Sequence, residues 1–333
     1  MNWHKRTARV GILAVITAML FRFAGSSIFG SALGVFAQPE LASFLIYSET
    51  GRKPALPEPN APQPSAPPEQ TSPDTPTQPP IMCPVFSSAD AGYLDFRYSC
   101  SYRPDPQALV LQPLQWDLTV DEPSVLIIHT HGTEAYTQTP DAPYYASSDY
   151  RTSDDRYNVI SIGDELTRLL EEAGLTVIHD RTAYDLTDYE SAYSQARAAA
   201  QAYLKQYPSI KMVLDLHRDA AQNTDGSQWA SCATVNGERS AQLMFVVGTD
   251  AMGDRHPNWM TNLSIAGKLN VLMEKSAPGI CRSIDLRGKR YNHDLAMGAM
   301  IVEVGSAGNT HSEAMRAIPV LADAIIALAR GTQ

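Results

Sequence analysis

Three short apolar runs, Val125–Ile128, Met212–Leu214 and Ala299–Val302, are each followed at once by chemistry-bearing residues: His-Thr-His-Gly-Thr-Glu at 129–134, Asp-Leu-His-Arg-Asp at 215–219 and Val-Glu-Val-Gly at 302–305. The runs are uninterrupted and rich in β-branched or large apolar side chains, as expected of strands buried on both faces. In an open α/β sheet, chemistry collects beyond the carboxyl ends of such strands. His131, His217 and Glu303 are therefore expected to meet in space although they are far apart in sequence.

Zinc favours imidazole nitrogen and carboxylate oxygen, and a catalytic zinc keeps three protein ligands with one position open. His131 and Glu134 offer two ligands from one turn, and His217 completes the set. Glu303 is left as the general base that takes a proton from the water attacking an amide carbonyl. An unpaired carboxylate between apolar neighbours is costly without a metal or a substrate proton to compensate it. His129 competes with His131, because residues two apart on a strand share a face; one would bind metal and the other would hydrogen-bond around it. Arg218 either polarises the scissile carbonyl or holds a substrate carboxylate if the chain bends there, or forms an ion pair with Asp215 or Asp219.

Between these motifs, helix and strand patterns alternate. Asn158–Gly174 carries Ile162, Leu166, Leu169 and Leu170 at helical spacing, and Leu175–Ile178 reads as a strand. Tyr189–Tyr207 is an alanine-rich helix stopped by Pro208. Gln242–Val247 is a strand, and Met260–Ser276 and Ser312–Arg330 are helices. The expected fold is α/β, a mostly parallel twisted sheet with helices on both faces.

The first third of the 333-residue chain is poor material for a core. Residues 1–9 are basic, with Lys5, Arg6 and Arg9 preceding an apolar segment over 10–37. That segment is a transmembrane anchor or an export signal, interrupted by Arg22. The basic residues before it place the N-terminus in the cytoplasm and the remainder outside. Residues 52–84 are dominated by Pro, Gln, Ser and Thr and form a stiff, disordered tether. A formal net charge of -10 argues against a nucleic-acid partner. The four cysteines show no C-x-x-C spacing, which disfavours a thiolate zinc site. Cys83 with Cys100 and Cys232 with Cys281 are the preferred disulfides, with free thiols as the alternative.

Several stretches, in this order, resemble the stage II sporulation protein P family: Val125–Tyr136, Arg151–Val159 leading into Gly163–Leu166, Asp215–Asp219, Tyr291–Leu295 and Ile301–Gly305. The resemblance runs from about residue 105 to the C-terminus and makes 105–333 the catalytic domain. That family is in turn similar to zinc-dependent N-acetylmuramoyl-L-alanine amidases. The implied activity is cleavage of the amide joining the lactyl group of the glycan to the stem peptide of peptidoglycan, during sporulation; the same residue pattern leaves a zinc carboxypeptidase or endopeptidase on wall peptides, or a non-catalytic membrane-tethered wall-binding protein, as the alternatives. The implied partners are the membrane, other wall hydrolases and sporulation membrane proteins. The amidase pattern places a carboxylate ligand four residues before an Asn at a helix start, where this chain has Asp154 before Asn158. Asp154 thus stands beside Glu134 as an alternative second ligand. Tyr291, Asn292 and Asp294 are implied to form a substrate-side loop, with His293 not a ligand.

Overall fold

The structure is a computed structural model, and it describes residues 83–332. The basic N-terminus, the apolar segment over 10–37 and nearly all of the proline-rich stretch lie outside the described residues. Among the described residues, no helix is long and apolar enough to cross a membrane.

A seven-stranded sheet has the order β1-β8-β7-β9-β4-β2-β3. The strands are β1 Phe96–Ser99, β2 Val125–Ile128, β3 Val177–His179, β4 Met212–Asp219, β7 Leu243–Gly248, β8 Ile284–Arg287 and β9 Gly298–Ser306. All neighbours pair in parallel except β7 with β9. The carboxyl ends of β2, β4 and β9 therefore open on the same edge. A separate hairpin joins β5 Cys232–Val235 to β6 Glu238–Ala241.

Side-chain alternation sorts the sheet into two faces. On one, Val125, Ile127, Met212, Leu214, Leu216, Met300 and Val302 form the main core. That core is covered by α2 Val159–Glu172, α4 Trp259–Ser276 and α5 His311–Leu328, with the short α1 Pro106–Leu111 at its margin. Asn158 starts α2 by accepting a hydrogen bond from the Ile160 amide at 2.9 Å, satisfying one of the helix's orphan donors. On the opposite face, Leu126, Ile128, Val213 and Ala299 meet α3 Ala192–Gln206 through Ala192, Ala196 and Ala200. This row of small residues lets the helix lie close to the sheet. Farther along the same face, Met244, Val246 and Ile301 are closed over by Tyr291 rather than by a helix.

The expected strands and helices are present with ends shifted by a few residues, and helices cover both faces. Three features depart from the sequence reading. β1 adds a strand ahead of residue 105, so the compact unit begins earlier than expected. β8 was not foreseen. The β5–β6 hairpin breaks the alternation of helix and strand; its Asn236-Gly237 turn has φ of 51° and 82°, the backbone such a tight hairpin requires. The expected disulfides are not formed, and all four thiols are free. Cys83 Sγ donates to the Arg330 carbonyl, Cys232 Sγ accepts from Asn309, and Cys281 Sγ lies 3.8 Å from the Asn270 carbonyl.

Candidate metal centre

On the α3 face, alternation along β4 brings Val213, Asp215 and His217 to the same side, and His217 is the last of these before the register shift that precedes Asp219. Its register partner on β9 is Glu303. His131 and Glu134 arrive from the turn after β2. Together His131, Glu134 and His217, all buried, place one potential ligand atom each within 4.8 Å of the others. Glu134 Oε2 is 3.2 Å from His217 Nδ1, and Glu134 Oε1 is 3.7 Å from His131 Nδ1. Donors on a tetrahedral zinc at ordinary bond lengths stand roughly 3.3 to 3.5 Å apart. The two distances run to different oxygens of the one carboxylate, and two imidazoles with a carboxylate are the donor chemistry that zinc takes.

The turn that delivers His131 and Glu134 is tightly fixed. Gly132 passes so close to Ala183 that a Cβ would sit 2.7 Å from the Ala183 Cα. Asp185 accepts from the Thr133 amide at 3.1 Å and from the Thr133 hydroxyl at 2.5 Å. Just upstream, Asp215 accepts from the Thr130 amide and hydroxyl at 2.8 and 2.6 Å, tying the end of β2 to β4. His131 stacks on Tyr189 with ring centroids 4.5 Å apart and meets Tyr193 edge-on at 5.5 Å.

Two arginines grip Glu134. Arg151 Nη2 donates to Oε1 at 3.2 Å while its Nη1 holds Asp185 at 2.5 Å. Arg218 gives its amide to Oε2 at 3.2 Å and its Nη1 to Oε1 at 3.5 Å; its remaining donors go to the Ala135 and Tyr150 carbonyls at 3.0 and 3.1 Å. Burial alone would raise the Glu134 pKa, but Arg218, His131 and His217 hold it well below the usual carboxylate range. Burial likewise opposes charge on His217, yet Asp215 and Glu134 raise its pKa well above the ordinary histidine value. Asp215 Oδ1 lies 3.0 Å from His217 Nε2, but off the direction of a hydrogen bond, so that nitrogen is left without one.

Glu303 keeps part of its side chain exposed, while its Oε2 is enclosed and has no hydrogen-bond partner. Burial pushes its pKa up to about 8, with Glu134 and Asp219 adding to the shift and His217 opposing it. A carboxyl group poised near neutrality can both take and return a proton.

The other candidates are placed elsewhere. His129 is fully buried on the opposite side of β2, its Nδ1 3.2 Å from the Leu216 carbonyl and its Nε2 2.7 Å from His179 Nε2. Residues 129 and 131 do not share a face because β2 ends at Ile128 and the chain turns before His131. Asp154 is not in the cluster: it accepts two hydrogen bonds from the Arg156 guanidinium, at 2.9 and 2.7 Å. Arg218 pairs with neither Asp215 nor Asp219; Asp219 is taken by Arg282 at 2.8 Å. The Arg218 guanidinium is committed to Glu134 and to the Ala135 and Tyr150 carbonyls. His293 lies outside the His131, Glu134 and His217 group and accepts from the Gly248 amide through Nδ1 at 3.0 Å. The sequence reading missed Arg151, Asp185, Asp215 and Tyr189 as parts of the site. Of these, only Arg151 and Asp215 fall within motifs that the family resemblance had marked.

Residues 53–326 match the sequence model of the family described as stage II sporulation protein P (SpoIIP). A curated protein described as "Stage II sporulation protein P", from Bacillus subtilis (strain 168), is 28% identical over 222 residues, 62% of this chain and 51% of that protein. The chain thus spans about half the length of the curated relative it matches. Among solved structures, N-acetylmuramoyl-L-alanine amidase AmiC2 of Nostoc punctiforme matches 61% of this chain and 95% of its own, with 11% identity and a TM-score of 0.36. An N-acetylmuramoyl-L-alanine amidase from Clostridium difficile 630 matches 62% and 94%, with 13% identity and a TM-score of 0.37.

Proposed function

The chain belongs to the stage II sporulation protein P family, and from that premise we propose that it is a zinc-dependent amidase acting on peptidoglycan during sporulation. The bond cut is the amide between the muramoyl lactyl group and the stem peptide. The reading includes a membrane anchor over 10–37, a tether over 52–84 and a catalytic domain outside the cytoplasm, working beside other wall hydrolases and membrane proteins of sporulation.

One observation carries this reading: three buried donors suited to zinc converge on the same sheet face as an unpartnered carboxylate, Glu303, one strand away. His131, Glu134 and His217 are the residues that would hold the metal. When bound, zinc supplies the positive charge that polarises an amide carbonyl and makes water acidic enough to react. Glu303 takes the proton of the attacking water as the new C–O bond forms, then returns it to the amide nitrogen as the C–N bond breaks. Arg218 and Arg151 act earlier, fixing the carboxylate of Glu134 in one orientation so that little reorganisation accompanies the reaction. Tyr189 and Tyr193 orient the His131 ring by packing.

The test uses the full chain in detergent with purified peptidoglycan. Chelation should abolish release of stem peptides and added zinc should restore it, with mass spectrometry reading the new ends. Full activity in metal-free protein would overturn the reading. Cleavage within the peptide, leaving the lactyl amide intact, would replace the amidase by a peptidase on the same centre.

A further inference from the structure

A cavity of about 700 Å³ opens beside the metal centre, lined by Tyr193, Arg197, Lys289, Arg290 and Tyr291 among others. Tyr193 is the shared wall: it packs on His131 at 5.5 Å from one side and on Tyr291 at 5.6 Å from the other. A substrate held at the metal centre therefore has this cavity as its next space. The cavity's charge runs against that of the chain, which is -10 overall. Three cationic side chains line it against two carboxylates, Asp254 in the lining and Asp294 beneath it, which leaves Lys289 without an acidic partner of its own in the cavity wall.

The two arginines are held in place by the acid beneath them. Asp294 grips Arg197 through two hydrogen bonds, at 2.7 and 2.8 Å, and lies 3.5 Å from Arg290 Nε. Arg290 Nε is buried and makes no hydrogen bond. The backbone under Lys289 and Arg290 rests against Gly248, where a Cβ would come within 2.4 Å of the Lys289 carbonyl. The Asn292 side chain donates to the Tyr193 carbonyl at 3.0 Å, and that of Asn262 donates to the His293 carbonyl at 2.8 Å. Tyr291 sits at φ 54°, a left-handed backbone that a bulky residue adopts only when its surroundings impose it, and such residues gather at ligand clamps.

We propose that this cavity is a carboxylate-binding subsite, in which Lys289 and Arg290 receive a free carboxylate of the peptide attached to the scissile amide. The inference rests on the hydrolase reading for the identity of the substrate. Binding itself requires no turnover. Arg197, already held on both sides of its fork by Asp294, sets the position of the acid beneath the cavity, while Lys289 is exposed and free to close on the ligand. Carboxylates bound by such groups gain charge-assisted hydrogen bonds that an amidated peptide cannot match.

The experiment compares soluble muropeptides with free stem-peptide carboxylates against the same compounds with those carboxylates amidated. In the zinc-loaded full chain, amidation should raise KM about tenfold or more with kcat little changed, the factor expected when a charged hydrogen bond is lost. Lys289→Gln, at an exposed position that leaves the fold intact, should raise KM for the free-acid substrate and erase most of its advantage over the amidated one; Arg290→Gln should do the same. Calorimetry on the Glu303→Gln protein with the free-acid and amidated peptides gives a readout without cleavage. Carboxylate-dependent binding with no cleavage by the unmodified chain would sink the hydrolase reading and keep this one. Cleavage indifferent to amidation and to Lys289→Gln would do the reverse. Displacement of the peptide by inorganic phosphate at lower concentration than by acetate would assign the cavity to phosphate and overturn the carboxylate proposal.

Discussion

His217 and Glu303 are register partners on the adjacent parallel strands β4 and β9, so both side chains leave the sheet on the same face. One has its imidazole beside Glu134, and the other keeps a carboxylate oxygen buried without a partner. The two positions are equivalent in the sheet and different in chemistry. His217→Ala should lose zinc and activity together, since it removes one of three donors. Glu303→Gln should keep stoichiometric zinc and lose about a hundredfold or more in kcat. Metal analysis and peptide release on the two proteins separate these roles, and a zinc-free Glu303→Gln protein would make Glu303 a ligand.

The contest between Glu134 and Asp154 has a similar test. Asp154 makes its contacts with Arg156, whose side chain is 72% exposed, and an ion pair of that kind contributes little. Asp154→Ala should therefore keep full zinc content and lose less than about 1 kcal/mol of stability. Glu134→Ala should abolish zinc binding while the far-UV circular dichroism persists. The opposite pattern in metal analysis would return the second ligand to Asp154.

Arg218 holds Glu134 through its amide and Nη1 and gives Nε and Nη2 to backbone carbonyls. Arg218→Gln should weaken zinc by roughly ten- to a hundredfold, as losing a group that orients a ligand does, and excess zinc should restore much of the rate. A kcat that stays low at saturating zinc would instead give Arg218 a direct role on the substrate.

The sheet and the three donors were legible because apolar runs and period-2 alternation act locally, and strand ends are where an α/β sheet gathers its polar residues. What escaped depended on where a strand stops. Counting by two from His129 puts His131 on the same face, but β2 ends at Ile128 and the following turn, with Gly132 pressed on Ala183, sends the two histidines to opposite sides. The Asp154 spacing copied a sequence relationship to Asn158 whose geometry here serves the approach to α2. Arg151 and Asp185 lie 17 and 51 residues beyond Glu134 and are joined to it only by folding, so no local pattern marks them as its partners. Asn236-Gly237, in contrast, was a hairpin signal present in the sequence.

Gly163 lies on α2 under the His129–His179 pair, where a Cβ would come within 2.5 Å of His179 Nε2 and 2.7 Å of His129 Nε2. Both rings are enclosed and cannot retreat cheaply. Gly163→Ala should destabilise the domain by about 1 to 3 kcal/mol through overpacking, despite alanine's better helix propensity. Urea unfolding measures this, and a stabilised protein would show that the two rings shift freely.

Acid should unfold the metal-free protein through its buried neutral histidines. Burial lowers the pKa of His129 to about 3, with His179 adding to the shift, and burial lowers that of His293 to about 3 as well. Unfolded, each would titrate near 6.5. Between those values the unfolded chain binds more protons than the folded one, so stability falls as pH falls through that window. From pH 7 to pH 5 each of the two costs about 2 kcal/mol. His217 acts in a different window: its folded pKa is raised, so its contribution is complete below the unfolded value and is lost only as pH rises through the folded one. It therefore changes little between pH 6.5 and 5, whereas Glu303, with its pKa raised to about 8, gains about 2 kcal/mol on that descent and offsets one of the two histidines, leaving a net loss. The urea midpoint of metal-free protein should drop steadily across that range, and a midpoint that holds constant down to pH 5 would mean that these two rings are hydrated in solution.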